Sequence, residues 1–186
     1  MPFVVTYEYS PELMDSIVDS VSKASDKKLI NQILELFYEA GLHIKVKHCF
    51  PDTPREYYRI LCFIKKSAEA VIINTKEDLG KEGVRDDLNI QVRIVNQNTL
   101  DNLDQLSENI RKQIVGANDC RYCSEKCVGK KYVFSYNDTE YTKCQYLCSN
   151  FRMSIENDSD IESIINIIRD EITYKKPKKI TARGKV

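Results

Sequence analysis

Apolar positions follow two rhythms along this chain, and the places where the rhythm changes mark its elements. After Ser10-Pro11, an N-cap with proline at the first helical position, Leu13, Met14, Ile17, Val18 and Val21 recur three and four residues apart and predict a helix. A second helix is predicted from near Asp26. Leu29, Ile30, Ile33, Leu34 and Phe37 form its buried stripe, and Gly41 is its left-handed C-terminal cap. The short connection makes the two helices an antiparallel pair. The period then falls to two. Leu42, Ile44 and Val46 alternate with His43, Lys45 and Lys47, as in a half-buried strand. Pro51 and Pro54 enclose a loop, Tyr57 to Ile64 is apolar on both faces and predicts a central strand, and Ala70 to Asn74 is its hairpin partner. A charged loop from Lys76 to Asp87 precedes a strand carrying Ile90, Val92 and Ile94. Leu103, Leu106, Ile110 and Ile114 lead into a helix ended by Gly116. Near the end, Ser159 and Glu162 form a capping box ahead of the stripe Ile161, Ile164, Ile165, Ile168 and Ile172.

This order of elements has no strand–helix–strand alternation. The expected fold is therefore α+β, a largely antiparallel sheet with helices on one side. The last helix docks on the domain, because so narrow an apolar face is not stable alone in water. The expected organisation is an α+β domain over residues 1–118, a cysteine-rich zinc-ribbon-like hairpin module over 119–152, a docked C-terminal helix over 153–174 and a basic flexible tail over 175–186.

The most chemically pointed feature is the cysteine spacing. Cys120, Cys123 and Cys127 are followed by Cys144 and Cys148. Between the two groups, Tyr132, Phe134 and Tyr136 alternate, Asn137-Asp138 supplies a two-residue turn, and Thr139, Tyr141 and Lys143 alternate back. That pattern predicts a β-hairpin whose ends bring Cys127 and Cys144 together. Two sets of thiols gathered by a hairpin follow the logic of a zinc ribbon, with four thiolates around Zn²⁺ at about 2.3 Å. The expected ligands are Cys120, Cys123, Cys127 and Cys144, with Cys148 as the alternative. A closed Cys₄ shell leaves no open position, so the zinc is structural, and it supplies folding free energy that so small a module lacks. An iron–sulfur cluster is the rival cofactor, although the spacing is not one of the usual ferredoxin runs. Free thiols or a disulfide are the third reading.

Composition narrows the classes. The chain has 186 residues, 42% hydrophobic and 30% charged, the balance of a globular protein. No apolar run reaches a bilayer span, and the first residues lack the pattern of a secretory signal. The expectation is a reducing, cytoplasmic setting without membrane contact, in which clustered cysteines mark metal sites. Formal net charge is zero but uneven. Residues 1–118 carry 15 Lys/Arg against 18 Asp/Glu, and residues 119–186 carry 13 against 10. Lys175, Lys176, Lys178, Lys179, Arg183 and Lys185 fall in the last twelve positions, which contain no acid. They form a solvated tail, with nucleic-acid contact as the sharper alternative.

Other candidates are weaker. His43, His48, Cys49 and Cys62 suggest a Cys–His pair, but His43 and Cys49 are about 20 Å apart along one strand, and His48 and Cys49 point to opposite faces. Cys62 is a small buried hydrophobe. Tyr57, Tyr58 and Phe63 near Arg59 and Lys65 hint at an RNA-binding sheet without its glycine-containing signature. Gly80 and Gly83 are too sparse for a phosphate loop. Asp78, Asp86 and Asp87 lack EF-hand spacing.

CRYCSEKC, the hairpin ending EYTKC and the helix NDSDIESIINII resemble the C-terminal part of a group of uncharacterised bacterial proteins. In that group a small α+β domain ends in a cysteine-rich hairpin and a helix. The resemblance covers about residues 100–172, and Cys148 is an extra cysteine relative to it. It implies fold and metal but carries no activity. The expected function is that of a zinc-containing binding or interaction protein acting on an unknown small molecule or protein. The alternatives are a nucleic-acid-associated protein using the zinc module and basic tail, and an enzyme whose site is not visible in the sequence.

Overall fold

The structure, a computed structural model, describes residues 4–65, 68–117, 131–144 and 150–174. The chain begins with an edge strand, β1 (Val4–Glu8), followed by helices α1 (Pro11–Asp19) and α2 (Ala24–Glu39). Strands β2 (His43–Cys49), β3 (Tyr57–Lys65) and β4 (Ala68–Asn74) come next. A small hairpin, β5 (Glu77–Asp78) and β6 (Val84–Arg85), leads to β7 (Asn89–Arg93). The short α3 (Gln97–Asp101) and α4 (Glu108–Gly116) follow. The last elements are β8 (Lys131–Tyr136), β9 (Thr139–Cys144), β10 (Asn150–Met153) and α5 (Asp158–Thr173). The fold is α+β, with a six-stranded sheet in the order β1-β2-β3-β4-β7-β10 in which every pairing is antiparallel. No helix of the described residues is long and apolar enough to cross a membrane.

Register decides which residues share a face. Val46 lies opposite Ile60, Ile60 opposite Ile73, Ile73 opposite Ile90 and Ile90 opposite Met153, so one row of buried side chains crosses five strands. These residues and the stripes of α1, α2, α4 and α5 form one core. In α5, Ile161, Ile164, Ile165, Ile167 and Ile168 are all buried, and the helix packs on α2, α4, β4 and β7. β3 is central, as its two-sided apolar pattern predicts. Ile60 and Cys62 face the helices, while Leu61 and Phe63 are buried on the second face.

Local chemistry sets the boundaries. Ser10 caps α1, its hydroxyl accepting from the Leu13 N–H at 3.2 Å, and Gly41 takes φ 61° after α2. Three features depart from the sequence expectation. Strands β1 and β10 were not anticipated: β1 is a short edge strand whose residues are mostly exposed, and β10 has only four residues, so neither writes a period-two signal. The helix expected from Leu103 is broken. α3 ends at Asp101 with Asn102 as its cap, a 3₁₀ turn covers Leu103–Gln105, and Ser107 restarts the helix by accepting from the Ile110 N–H at 3.3 Å. The capping box of α5 also lies two residues earlier than Ser159 and Glu162. Asn157 accepts from the Asp160 N–H at 3.1 Å, and the Asp160 carboxylate accepts from the Asn157 N–H at 3.3 Å, so Asn and Asp fill the Ser/Glu template.

Asp160 does more than cap. Fully buried, it also accepts from the Glu156 N–H and the Asn109 amide, each at 2.8 Å, and from the Ser107 hydroxyl. Burial pushes its pKa up, but these donors outweigh burial and hold it below the ordinary carboxylate value. Asp160→Asn turns acceptors toward donors and is expected to lose on the order of 3 kcal/mol of unfolding free energy. In the native protein this contribution is present above the ordinary Asp pKa and is lost as pH falls through the lowered folded value. Denaturant melts of both proteins over an acid pH series will show the native protein converging on the variant only at low pH.

Candidate functional site

At the end of the sheet where β7 begins and β10 stops, five separated segments close around a cleft of about 400 Å³. Lys23 and Asp26 come from the α1–α2 connection and the first turn of α2. Glu77 comes from β5, Asp87 and Asn89 lie at the start of β7, Gln113 comes from α4, and Arg152 to Ile155 from β10 and its continuation. Most of its charges are spoken for. Lys23 Nζ meets Asp87 at 2.9 Å, the Ser22 hydroxyl donates to Asp86, and Arg152 meets Glu77 at 3.3 Å. The Lys23–Asp87 hydrogen bond raises the lysine pKa and lowers that of the aspartate. Gln113 is also committed. Its carbonyl accepts from the Ser154 N–H at 2.7 Å and its amide donates to the Ser154 and Asn109 oxygens, which holds β10 to α4.

Asp26 is the exception. It is buried, and its one side-chain hydrogen bond in the cleft is with the Ser25 hydroxyl at 3.5 Å. Desolvation raises its pKa despite the attraction of Lys23, and Asp87 and Asp86 raise it further. A carboxylate lining a cleft with its charge so little compensated suits a ligand that supplies hydrogen-bond donors or positive charge. No motif announces this cleft, because Asp26, Asn89, Gln113 and Arg152 are far apart in the chain and each has an ordinary local role.

The histidines and isolated cysteines lie elsewhere. His48 stacks on Tyr58 with ring centroids 4.4 Å apart, and its Nε2 lies 2.6 Å from Glu56. The register places Cys49 opposite Tyr57 on the other face. Burial pushes the Cys62 thiol far above its ordinary value, which removes it as a nucleophile. His43 packs its ring 5.6 Å from Phe63. Glu171 is a third buried acid. It accepts from the Val95 and Asn96 N–H groups at 2.9 and 2.8 Å, which ties α5 to the turn before α3, while its Oε2 is buried without a partner.

Among the expected metal ligands, Cys120, Cys123, Cys127 and the alternative Cys148 lie outside the described residues. Cys144 closes β9, where its Cα is opposite Lys131. Lys175, Lys176, Lys178, Lys179, Arg183 and Lys185 also lie outside the described residues. Among those that are described, no group of three or more His, Cys, Asp or Glu residues is placed to hold a metal ion. The hairpin has the expected turn, with Asn137 and Asp138 at φ 49° and 58°, and Phe134 reaches into the core. The second face of the sheet carries Lys45, Lys47, Arg59 and Arg93, with Lys47 directly opposite Arg59. The chain matches no family model, no curated protein and no solved structure.

Two outcomes follow. Asp26→Asn removes a charge that the fold holds at a desolvation penalty, so the variant is expected to melt at a higher temperature than the native protein at neutral pH. Burial, the largest cause, raises the Glu171 pKa from 4.5 to about 7. The fold thus favours the protonated acid, and stability is complete below pH 4.5 and declines as pH rises toward about 7. The loss amounts to about 3 kcal/mol. Glu171→Gln should flatten the pH dependence across this window, as measured by denaturant melts.

Proposed function

We propose that the protein is a non-enzymatic, zinc-containing binding protein whose ligand enters the cleft beside Asp26. The observation that carries this reading is the contrast within the cleft. Five segments converge there, their other charges are already paired, and one desolvated carboxylate is left facing the space. That arrangement suits recognition, in which the ligand supplies the missing partner. It offers no nucleophile held by a base, because the His48–Glu56 pair is not among the residues that line the cleft. The test is an NMR titration of the labelled protein against a library of small polar compounds. Resonances of Asn89 and Gln113 should move on binding, and Asp26→Asn should remove the response. Hits that perturb only other surfaces would overturn the reading.

Structural zinc completes the proposal. Its support is the hairpin register. Lys131 is the Cα partner of Cys144, and Cys127 precedes Lys131 by four residues, so the chain carrying the first three cysteines starts beside the fourth. A Cys₄ shell from Cys120, Cys123, Cys127 and Cys144, with Cys148 as the alternative, would then brace the hairpin from its open end while Phe134 anchors it to the core. Elemental analysis of protein purified without chelators should find about one zinc per chain. Cys123→Ser and Cys144→Ser abolish it, and Cys49→Ser and Cys62→Ser leave it unchanged. A brown protein would indicate an iron–sulfur cluster instead.

A second reading, nucleic-acid association, is favoured by the basic residues Lys45, Lys47, Arg59 and Arg93 on the second sheet face. It requires a binding constant for mixed DNA or RNA that falls steeply with added salt.

A further inference from the structure

The two edges of the six-stranded sheet are built differently. β10 carries Arg152 in its middle and is tied down at Ser154 by Gln113 and Asn109. β1 pairs regularly with β2 from Val4 opposite Cys49 to Glu8 opposite Lys45, and no strand of the described residues pairs with its other side. Such an edge presents unpaired N–H and C=O groups, and proteins commonly guard it with lysine, proline or a bulge. The strand VVTYE has none of these, and its one charge, Glu8, faces its own Lys45. The edge is also apolar. Among the described residues, the exposed large hydrophobic side chains are Val4 at 44%, Tyr7 at 40%, Tyr38 at 67% and Val133 at 47%. Val4 and Tyr7 belong to β1, and the Tyr38 ring lies 6.1 Å from that of Tyr9, the residue after β1.

We propose that β1 is a self-association edge, on which a second copy of this chain pairs antiparallel about a two-fold axis at Thr6, so that the two sheets run on as one. The register follows from geometry. Residues opposed in an antiparallel pair point to the same face, and a two-fold relating two antiparallel strands runs normal to the sheet. The axis must therefore pass between two copies of one residue. Centring on Thr6 pairs the whole strand: Val4 with Glu8, Val5 with Tyr7 and Thr6 with Thr6, each with its counterpart on the second copy. On the helix-bearing face this produces two Val5–Tyr7 pairs, each next to Val46 or His48 of β2. Aromatic and β-branched side chains are favourable cross-strand neighbours. On the other face Val4 lies over the stem of Glu8, and no like charges are opposed. The charge pattern thus fits a second copy without needing any foreign sequence. One strand pair with its flanking tyrosines falls toward the small end of specific interfaces, so the dimer forms in a concentration-dependent way.

Sedimentation velocity across a concentration series tests this. The weight-average mass of the native chain should rise toward that of two chains, and amide exchange in residues 4–8 should slow with concentration. Thr6→Lys places two ammonium groups face to face and should leave a monomer with unchanged circular dichroism. Thr6→Cys should form a disulfide across the axis under mild oxidation, mapped to residue 6 by mass spectrometry, because opposed Cα atoms at that spacing lie within disulfide reach. Val4→Cys, opposed to Glu8, should not form one. A native chain that stays monomeric throughout the series overturns the proposal, leaving an extended peptide of another protein as the occupant to seek. So does a dimer that survives Thr6→Lys and gives no residue-6 crosslink.

Discussion

The carboxylate of Asp160 is the point at which the second half of the chain is fastened to the first. It accepts from Ser107 and Asn109 at the start of α4, and from the Glu156 and Asn157 N–H groups at the start of α5. Ser107 returns the connection, its N–H donating to the Ser163 hydroxyl at 2.8 Å. One buried charge therefore caps α5, restarts α4 and sets the distance between them. The effects reach the sheet, because α4 also grips Ser154 through Gln113 and Asn109 and so holds β10 against β7. Without that grip the last strand would have only four residues of pairing to keep it in place.

This fastening also bears on the hairpin. Among the described residues β8 and β9 pair only with each other, yet Phe134 is buried in the common core and the Gln97 amide donates to the Val133 carbonyl at 2.8 Å. Segments before and after the hairpin, α4 and β10, are locked together by the Ser154 contacts. The hairpin thus lies in sequence between two elements that are fastened to each other, and any metal at its open end would brace a structure already anchored by an aromatic plug.

Much of this was legible. The isoleucine stripe of α5, the two-sided β3 and the Asn137-Asp138 turn are strong periodic or steric signals, and each gives the element it predicts. Short or exposed elements were not legible. β1 has no buried alternation to display, and β10 has too few residues for a period to show. The capping box was displaced because Asn and Asp can perform the roles of Ser and Glu, and Ser159 here turns its hydroxyl toward Asn157 at 2.6 Å. The cleft was invisible for a different reason. Its residues are brought together only by the meeting of α2, α4, β7 and β10, and pattern along a chain carries no record of such convergence.

Three acids are buried in this fold, and they resolve the loss of water differently. Asp160 has donors on both oxygens, and its pKa falls although burial pushes it the other way. Glu171 has two backbone donors on Oε1 and none on Oε2, and burial wins, raising its pKa to about 7. Asp26 has one long contact with Ser25 and is also raised. The acid with donors on both oxygens is lowered and the two with fewer donors are raised, as expected when hydrogen bonds to the charged form compete with the loss of water. A shortage of donors has different meanings at the two raised sites. Glu171 is enclosed between α5 and the β7–α3 turn, where protonation relieves the uncompensated charge. Asp26 borders about 400 Å³ of open space, where an arriving donor can relieve it instead. The fold can satisfy a buried carboxylate fully, as Asp160 shows, so the shortage of donors at Asp26 belongs to that position and is not a general consequence of burial.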